Sequence, residues 1–185
     1  MDVEAMQVIT AVLALVAGGS ALVLLVARVF ESRSAVALAL TDVAREAGLW
    51  LAFAVAAVST LGSLYFSEVA DYVPCRLCWF QRIAMYPLAV ILLIAAMRGD
   101  REVRWYVVPV AALGLAVSIY HSLIEWRPGL EGGACGVGPS CADIWFREFG
   151  FVTLATMAVC GFVAIITLVT LAGSDRPTVP ADQEA

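Results

Sequence analysis

Lysine is missing: all eleven basic side chains among the 185 residues are arginine. Charge of either sign is scarce, at 15% of residues against about 25% in a typical soluble domain. Histidine occurs once, as His121. So little charge excludes a nucleic-acid binder with a basic face, since such a face needs clustered Lys and Arg. What fills the chain is apolar: 62% of residues, with a mean hydropathy of +0.91, where soluble domains hold about 45–50%. That balance excludes disorder and almost any soluble enzyme. It leaves an all-α polytopic membrane protein, whose backbone is satisfied inside each spanning segment. The net charge of −5 says little about partners; the placement of each Arg says more.

Five hydrophobic segments stand out, over residues 6–27, 48–66, 80–97, 105–123 and 149–172. A span needs about 20 apolar residues. These runs do not alternate polar and apolar residues, so helices fit them and barrel strands do not. The leader MDVEA carries two acids and no base, unlike a signal peptide, and the first segment reads as an additional uncleaved helix. Residues 35–46 mix apolar side chains with Thr41, Asp42, Arg45 and Glu46. They fit an amphipathic surface helix and equally an extension of a neighbouring span. The expected organisation is residues 1–47 as a first helix with a cytoplasmic linker, 48–172 as a four-helix domain, and 173–185 as a polar, disordered cytoplasmic tail.

With alternating spans, Arg28, Arg33, Arg45, Arg98, Arg101, Arg104 and Arg176 lie on one side, and Arg76, Arg82, Arg127 and Arg147 on the other. The richer side reads as cytoplasmic. The N-terminus and four of the five cysteines then face outward, into the compartment where disulfides persist. Trp50, Trp79, Trp105, Trp126 and Trp145 all fall near span ends, as an aromatic belt requires.

Those four cysteines form two short-range pairs. Cys75 and Cys78 stand at CxxC spacing in PCRLCWFQR, where the third span begins. A helix N-terminus favours a thiolate, the reactive form of cysteine. Arg82 is four residues on, on the face of Cys78. An Arg just inside a span calls for a partner; a thiolate or a quinone carbonyl would serve, and lipid phosphate is the plainer alternative. The competing reading of the CxxC is half of a zinc site, which a chain with a membrane bundle for its scaffold does not need.

Cys135 and Cys141 enclose Gly-Val-Gly-Pro-Ser in CGVGPSC. Two Gly and one Pro let the chain reverse so that the sulfurs can meet. The spacing fits an exposed, labile redox disulfide and a simple staple equally. His121, near the outer end of the fourth span, reads as a hydrogen-bond or proton partner for a bound redox cofactor, or as an interfacial His bonded to a carbonyl. Cys160, mid-span, reads as a small buried apolar residue.

The block PCRLCWFQRIAMYPL, a following helix with YH near its outer end, and a second Cys pair beyond it resemble the DsbB family of disulfide bond formation proteins. The short CGVGPSC loop is more similar to its BdbC-like branch. The resemblance covers residues 48 to about 172. It implies a four-helix transmembrane bundle in a bacterial inner membrane, with both pairs on the extracytoplasmic side. It implies oxidation of a DsbA-like thioredoxin-fold partner and transfer of the electrons to a membrane quinone, ubiquinone or menaquinone. By motif position Cys75, Cys78, Cys135 and Cys141 are then catalytic, cycling through Cys75–Cys78 and Cys135–Cys141 disulfides, with no metal. Cys78 and Arg82 match the residues beside the quinone, and His121 matches a further quinone contact. The helix at 6–27 is additional to the family's four. A vitamin K epoxide reductase-like enzyme is the neighbouring alternative, but there the loop cysteines precede the CxxC. A membrane scaffold with stapled outer loops is the non-enzymatic one.

Overall fold

In the computed structural model, residues 2–174 are described, apart from Ala134 and Val137. The tail expected to be disordered lies outside the described residues from position 175 onward. Five helices are long and apolar enough to cross a membrane: α1 (Val3–Phe30), α2 (Ala35–Glu68), α3 (Arg76–Arg98), α4 (Arg104–Trp126, preceded by a 3-10 turn at Arg101–Val103) and α5 (Leu154–Ala172). The described residues form no strand, only an isolated bridge between Glu148 and Val152. The all-α polytopic class is what the low charge and long apolar runs predict.

Helix ends differ from the hydropathy pattern where capping chemistry overrides it. Ser34 accepts a hydrogen bond from the Ala37 N–H and starts α2 there. Residues 35–46 are thus the first turns of α2, and the expected boundary at 47 falls inside a continuous helix. The fifth helix begins at Leu154 rather than at 149, because Thr153 and Thr156 form a reciprocal capping box that satisfies donors a helix start leaves open. The apolar run before it, Phe149–Val152, is spent on a tight turn closed by the Glu148–Val152 bridge.

Helices α2 to α5 surround a core that includes Ala52, Ala56, Leu88, Leu92, Val107, Ala111, Phe162 and Ile165. Close approach rests on small residues, as in membrane bundles generally. The Phe162 ring fills the space a side chain at Gly114 would need: a Cβ there would lie 2.3 Å from the ring. Large apolar side chains cover the outside: Ile83, Leu113, Leu61 and Leu22 are all exposed. Such a surface suits lipid and would aggregate in water.

Helix α1 packs on α2 and α5. Away from the cysteines it is tied down by a buried ion pair, with Arg45 Nη2 2.8 Å from Glu31 Oε2. Arg28 also pairs with Glu31, and Arg45 with Asp42 and Thr41. Nearby, Arg104 donates to the Gly173 carbonyl. The two cysteine pairs lie at the opposite end.

Candidate active site

Cys75 is the N-cap of α3, in extended conformation, and its Sγ accepts the Cys78 N–H at 3.3 Å. The side chain that caps the helix is therefore the sulfur itself. Cys75 and Cys78 are both free thiols, their sulfurs 2.9 Å apart, where the sequence reading pairs them in a disulfide. The Cys78 thiol donating to Cys75 holds the Cys75 thiol down at about 4; His121 and the Cys78 N–H act in the same direction and burial opposes them. A thiolate so stabilised is a ready leaving group and a ready metal ligand.

His121 is buried on α4. Its Nε2 lies 3.7 Å from Cys75 Sγ and 3.1 Å from the Cys141 carbonyl oxygen. On the other side of the ring, Gln81 Nε2 lies 3.3 Å from Nδ1. With the Gln81 amide donating to Nδ1, Nε2 carries the hydrogen and points it at the Cys75 sulfur and the Cys141 carbonyl. One imidazole thus touches both cysteine pairs. Cys75, Cys78 and His121 set three possible metal-donor atoms within 4.8 Å of one another; a structural zinc centre takes four ligands.

The α4–α5 loop opens with a 3-10 turn at Pro128–Leu130 and carries positive φ at Gly132, Gly133 and Gly136, a conformation that glycine adopts without penalty. Cys135 and Cys141 are joined in a disulfide, Cα atoms 6.0 Å apart. The sequence suggests an exposed loop disulfide, yet Cys135 is 5% and Cys141 0% exposed. The reason is that the loop folds inward: the two half-cystines pack with Cys75, Leu77 and Ile124 in one apolar cluster. Glu131 holds the turn, accepting from Ser140 Oγ at 2.9 Å and the Cys141 N–H at 3.2 Å. Beyond the disulfide, Trp145 stacks on Tyr72 of the α2–α3 loop at 4.6 Å, and Phe146 packs on Phe66.

Two cavities meet at Cys78. A small one of about 30 Å³ is lined by Cys75, Cys78, His121, Glu125, Thr153 and loop residues. The other, of about 450 Å³, runs between α1, α2, α3 and α5; such a volume is typical of a small-molecule site. Cys78, Gln81, Arg82, Ser63 and Tyr86 are among its lining residues, with mainly aliphatic side chains elsewhere. Arg82 Nη2 donates to the Ser63 carbonyl at 3.1 Å, and its guanidinium sits 5.4 Å from the Trp79 ring centroid. The Tyr86 hydroxyl bonds Ser63 Oγ at 3.2 Å.

Comparison with known proteins shows the family. The family model for disulfide bond formation protein DsbB matches residues 45–172. This chain belongs to the DsbB family. "Disulfide bond formation protein C" of Bacillus subtilis is 42% identical over 129 residues, covering 69% of this chain and 94% of the Bacillus protein. A "probable disulfide formation protein" of Deinococcus radiodurans is 42% identical over 147 residues, 76% of this chain and 96% of that one. One of Chlamydia pneumoniae is 39% identical over 127 residues, 69% and 92%. No solved structure matches. Within the DsbB family the BdbC-like branch is the one these relatives support, and the chain is a multi-pass membrane protein of disulfide formation.

Of the residues singled out from the sequence of this DsbB-family chain, Cys75, Cys135, Cys141 and His121 come together in one buried cluster. Cys78 stands between that cluster and the large cavity, which Arg82 lines. His121 is not among the residues lining the large cavity but touches Gln81, which is; its other partners are the Cys75 sulfur and the Cys141 carbonyl. Cys160 is half-buried in α5, against Gly18 of α1. Three residues escaped the sequence reading. Gln81 stands inside the quoted CxxC block, and its amide fixes the His121 ring. Glu131 lies in the Gly-rich loop. Glu125, whose carboxylate accepts from Thr153 Oγ1 at 2.5 Å, lies just past residue 123, where the fourth apolar run ends. An acid inside a spanning helix is itself a functional signal, visible once α4 is known to reach Trp126.

Proposed function

We propose that the chain is a quinone-dependent thiol oxidase that reoxidises a DsbA-like thioredoxin-fold partner outside a bacterial cell membrane. The observation that carries the reading is the single imidazole nitrogen between the two pairs, against Cys75 Sγ on one side and the Cys141 carbonyl on the other. A staple and an unrelated CxxC would have no reason to share a buried histidine.

A partner thiolate attacks one sulfur of Cys135–Cys141, Cys135 by family resemblance. The S–S bond breaks and Cys141 leaves as thiolate. The second partner thiol displaces Cys135, so the partner is oxidised and the loop pair reduced. The loop dithiol then reduces a Cys75–Cys78 disulfide by the same exchange. Cys75 is the leaving sulfur there, because its thiolate is stabilised by Cys78 and His121; a low leaving-group pKa speeds exchange. His121 assists by presenting Nε2–H to that sulfur.

The large cavity fits a quinone at its Cys78 end. Arg82, Gln81 and the Ser63 hydroxyl, which accepts from Tyr86 and keeps its own hydrogen, are polar donors at one end of a mainly aliphatic space, the donor set a ring carbonyl calls for, and Cys78 is the cysteine that lines it. A quinone, ubiquinone or menaquinone, would accept two electrons and two protons: conversion of the Cys75 thiolate and Cys78 thiol to a disulfide releases the two electrons and one proton, and water supplies the second proton. Arg82 orients the ring and supplies positive charge; Cys78 gives access to the electron pair.

The test is purified protein with a reduced thioredoxin-fold dithiol and a water-soluble quinone analogue, followed by quinone absorbance. The expected result is one quinone reduced per dithiol oxidised, lost in Cys78→Ala. Dithiol oxidation indifferent to quinone, or none at all, overturns the reading in favour of a stapled scaffold.

A further inference from the structure

Helix α1 lies outside the region matched by the DsbB family, which begins at residue 45, yet it forms one wall of the large cavity. Its lining residues run from Thr10 to Leu24, about 21 Å of helix at 1.5 Å per residue. On α5 the lining runs in parallel from Leu154 to Leu168, over the same length. The space is therefore long and follows the helix axes. Its polar groups gather on α2 and α3 near Cys78. On α1 the two hydroxyls that line it are spent on the helix's own backbone: Thr10 Oγ1 donates to the Met6 carbonyl and Ser20 Oγ to that of Ala17. What α1 shows the cavity is hydrocarbon, much of it short, as at Ala14 and Ala17.

The wall is fixed rather than loosely apposed. At the cysteine end Gln7 Nε2 donates to the Tyr72 hydroxyl at 2.7 Å. Midway, Gly18 sits so close to Cys160 that a Cβ on it would lie 2.9 Å from the sulfur. At the far end the Glu31–Arg45 ion pair holds it.

Resting on the quinone reading above, we infer that α1 is the wall of a channel for the acceptor's isoprenoid tail, with the ring at Cys78 and Arg82 and the tail running toward Leu24. A cavity polar at one end and aliphatic along about 20 Å of helix has the chemistry of a ring on a long hydrocarbon chain. The helix added to the family's four thus selects acceptors by their tails.

The test compares a tail-less quinone with one carrying a long isoprenoid tail, in the full-length protein. Ala14→Phe and Ala17→Phe push a ring into the channel. The ratio of KM for the tailed quinone to KM for the tail-less one rises about tenfold, the equivalent of losing contacts for about two methylene groups. Val23→Phe, on the exposed face of α1, keeps the wild-type ratio. A second measurement avoids bulky changes. Alkylation of the thiol introduced by Ala17→Cys, read against the parent chain, is slowed by the tailed quinone and not by the tail-less one. Unchanged KM ratios in folded variants, or equal protection by both quinones or by phospholipid alone, overturn the inference while leaving quinone reduction standing. Absence of quinone reduction in the wild type removes the function proposed above and the channel with it.

Discussion

Arg82 has few other uses where it sits. Its contacts are a backbone carbonyl and a tryptophan face, neither of which neutralises its charge, and it lines the cavity that Cys78 also lines. Removing a charged donor to a ring oxygen costs about 1.5–3 kcal/mol. Arg82→Ala should therefore raise the apparent KM for quinone at least tenfold or so, while a single turnover between preformed disulfides and the partner proceeds at the wild-type rate; an unchanged KM makes Arg82 a lipid anchor. At Cys75 the argument concerns protons. Its thiol is held near 4 chiefly by Cys78 and next by His121, against burial, so the thiolate persists at neutral pH and is lost only as pH falls through about 4. His121→Ala removes one of the stabilising donors, and the Cys75 midpoint should move up by about one unit. Thiolate ultraviolet absorbance of a chain lacking Cys135 and Cys141, read against the same chain with Cys75→Ser, follows it. A midpoint that stays put would confine His121 to holding the loop. The cysteines and Arg82 were legible in the sequence because spacing and helix register bring Arg82 onto the Cys78 face. The contact between His121 and Cys75 joins residues 46 positions apart on different helices, and no local pattern encodes it.

Among the elements, the helices were readable and their ends were not. Hydropathy averages over a window, so it located five spans. The start of α5 turns on two threonines and that of α2 on one serine, details such an average erases. The α4–α5 loop departs from the expected exposure for a related reason. Its glycines signal turns, and turns suggest exposure, but Ile124 and Leu77 give the disulfide an apolar seat at the top of the bundle. On the thiol-oxidase reading proposed above, a soluble partner has to lift the loop before it meets Cys135. The Trp145–Tyr72 stack resists lifting, together with the Phe146–Phe66 contact and the His121–Cys141 carbonyl bond. A stacked aromatic pair contributes about 0.5–1.5 kcal/mol beyond its buried area. Trp145→Ala should accordingly speed reduction of Cys135–Cys141 by dithiothreitol about two- to tenfold, measured by trapping the released thiols. Equal rates in the two proteins would place the opening motion elsewhere.

For the molecule as a whole, the five helices put both cysteine pairs and the N-terminus of α1 at one end, and the Glu31–Arg45 cluster, Arg104 and the C-terminus of α5 at the other. Which end faces the cytoplasm is a question of charge and redox environment rather than of packing. Arg28, Arg33, Arg45, Arg98, Arg101 and Arg104 are all at the second end, with Arg176 beyond it in the chain, against Arg76, Arg82, Arg127 and Arg147 at the first. Arginine is retained on the cytoplasmic side during insertion. On the reading proposed above, a disulfide is re-formed each cycle, and such a disulfide belongs outside the reducing cytosol. Both considerations favour the reading that the cysteine end faces outward, and they are independent, since one concerns insertion and the other chemistry. The expectation is that a membrane-impermeant maleimide labels the reduced protein at the paired cysteines in intact cells. A single cysteine introduced by Arg101→Cys, in a chain whose other cysteines are alanine, reacts only after permeabilisation. The reverse pattern would invert the protein in the membrane. It would also remove its access to an extracytoplasmic dithiol, because the loop that carries Cys135 could then meet only partners kept reduced by the cytosol.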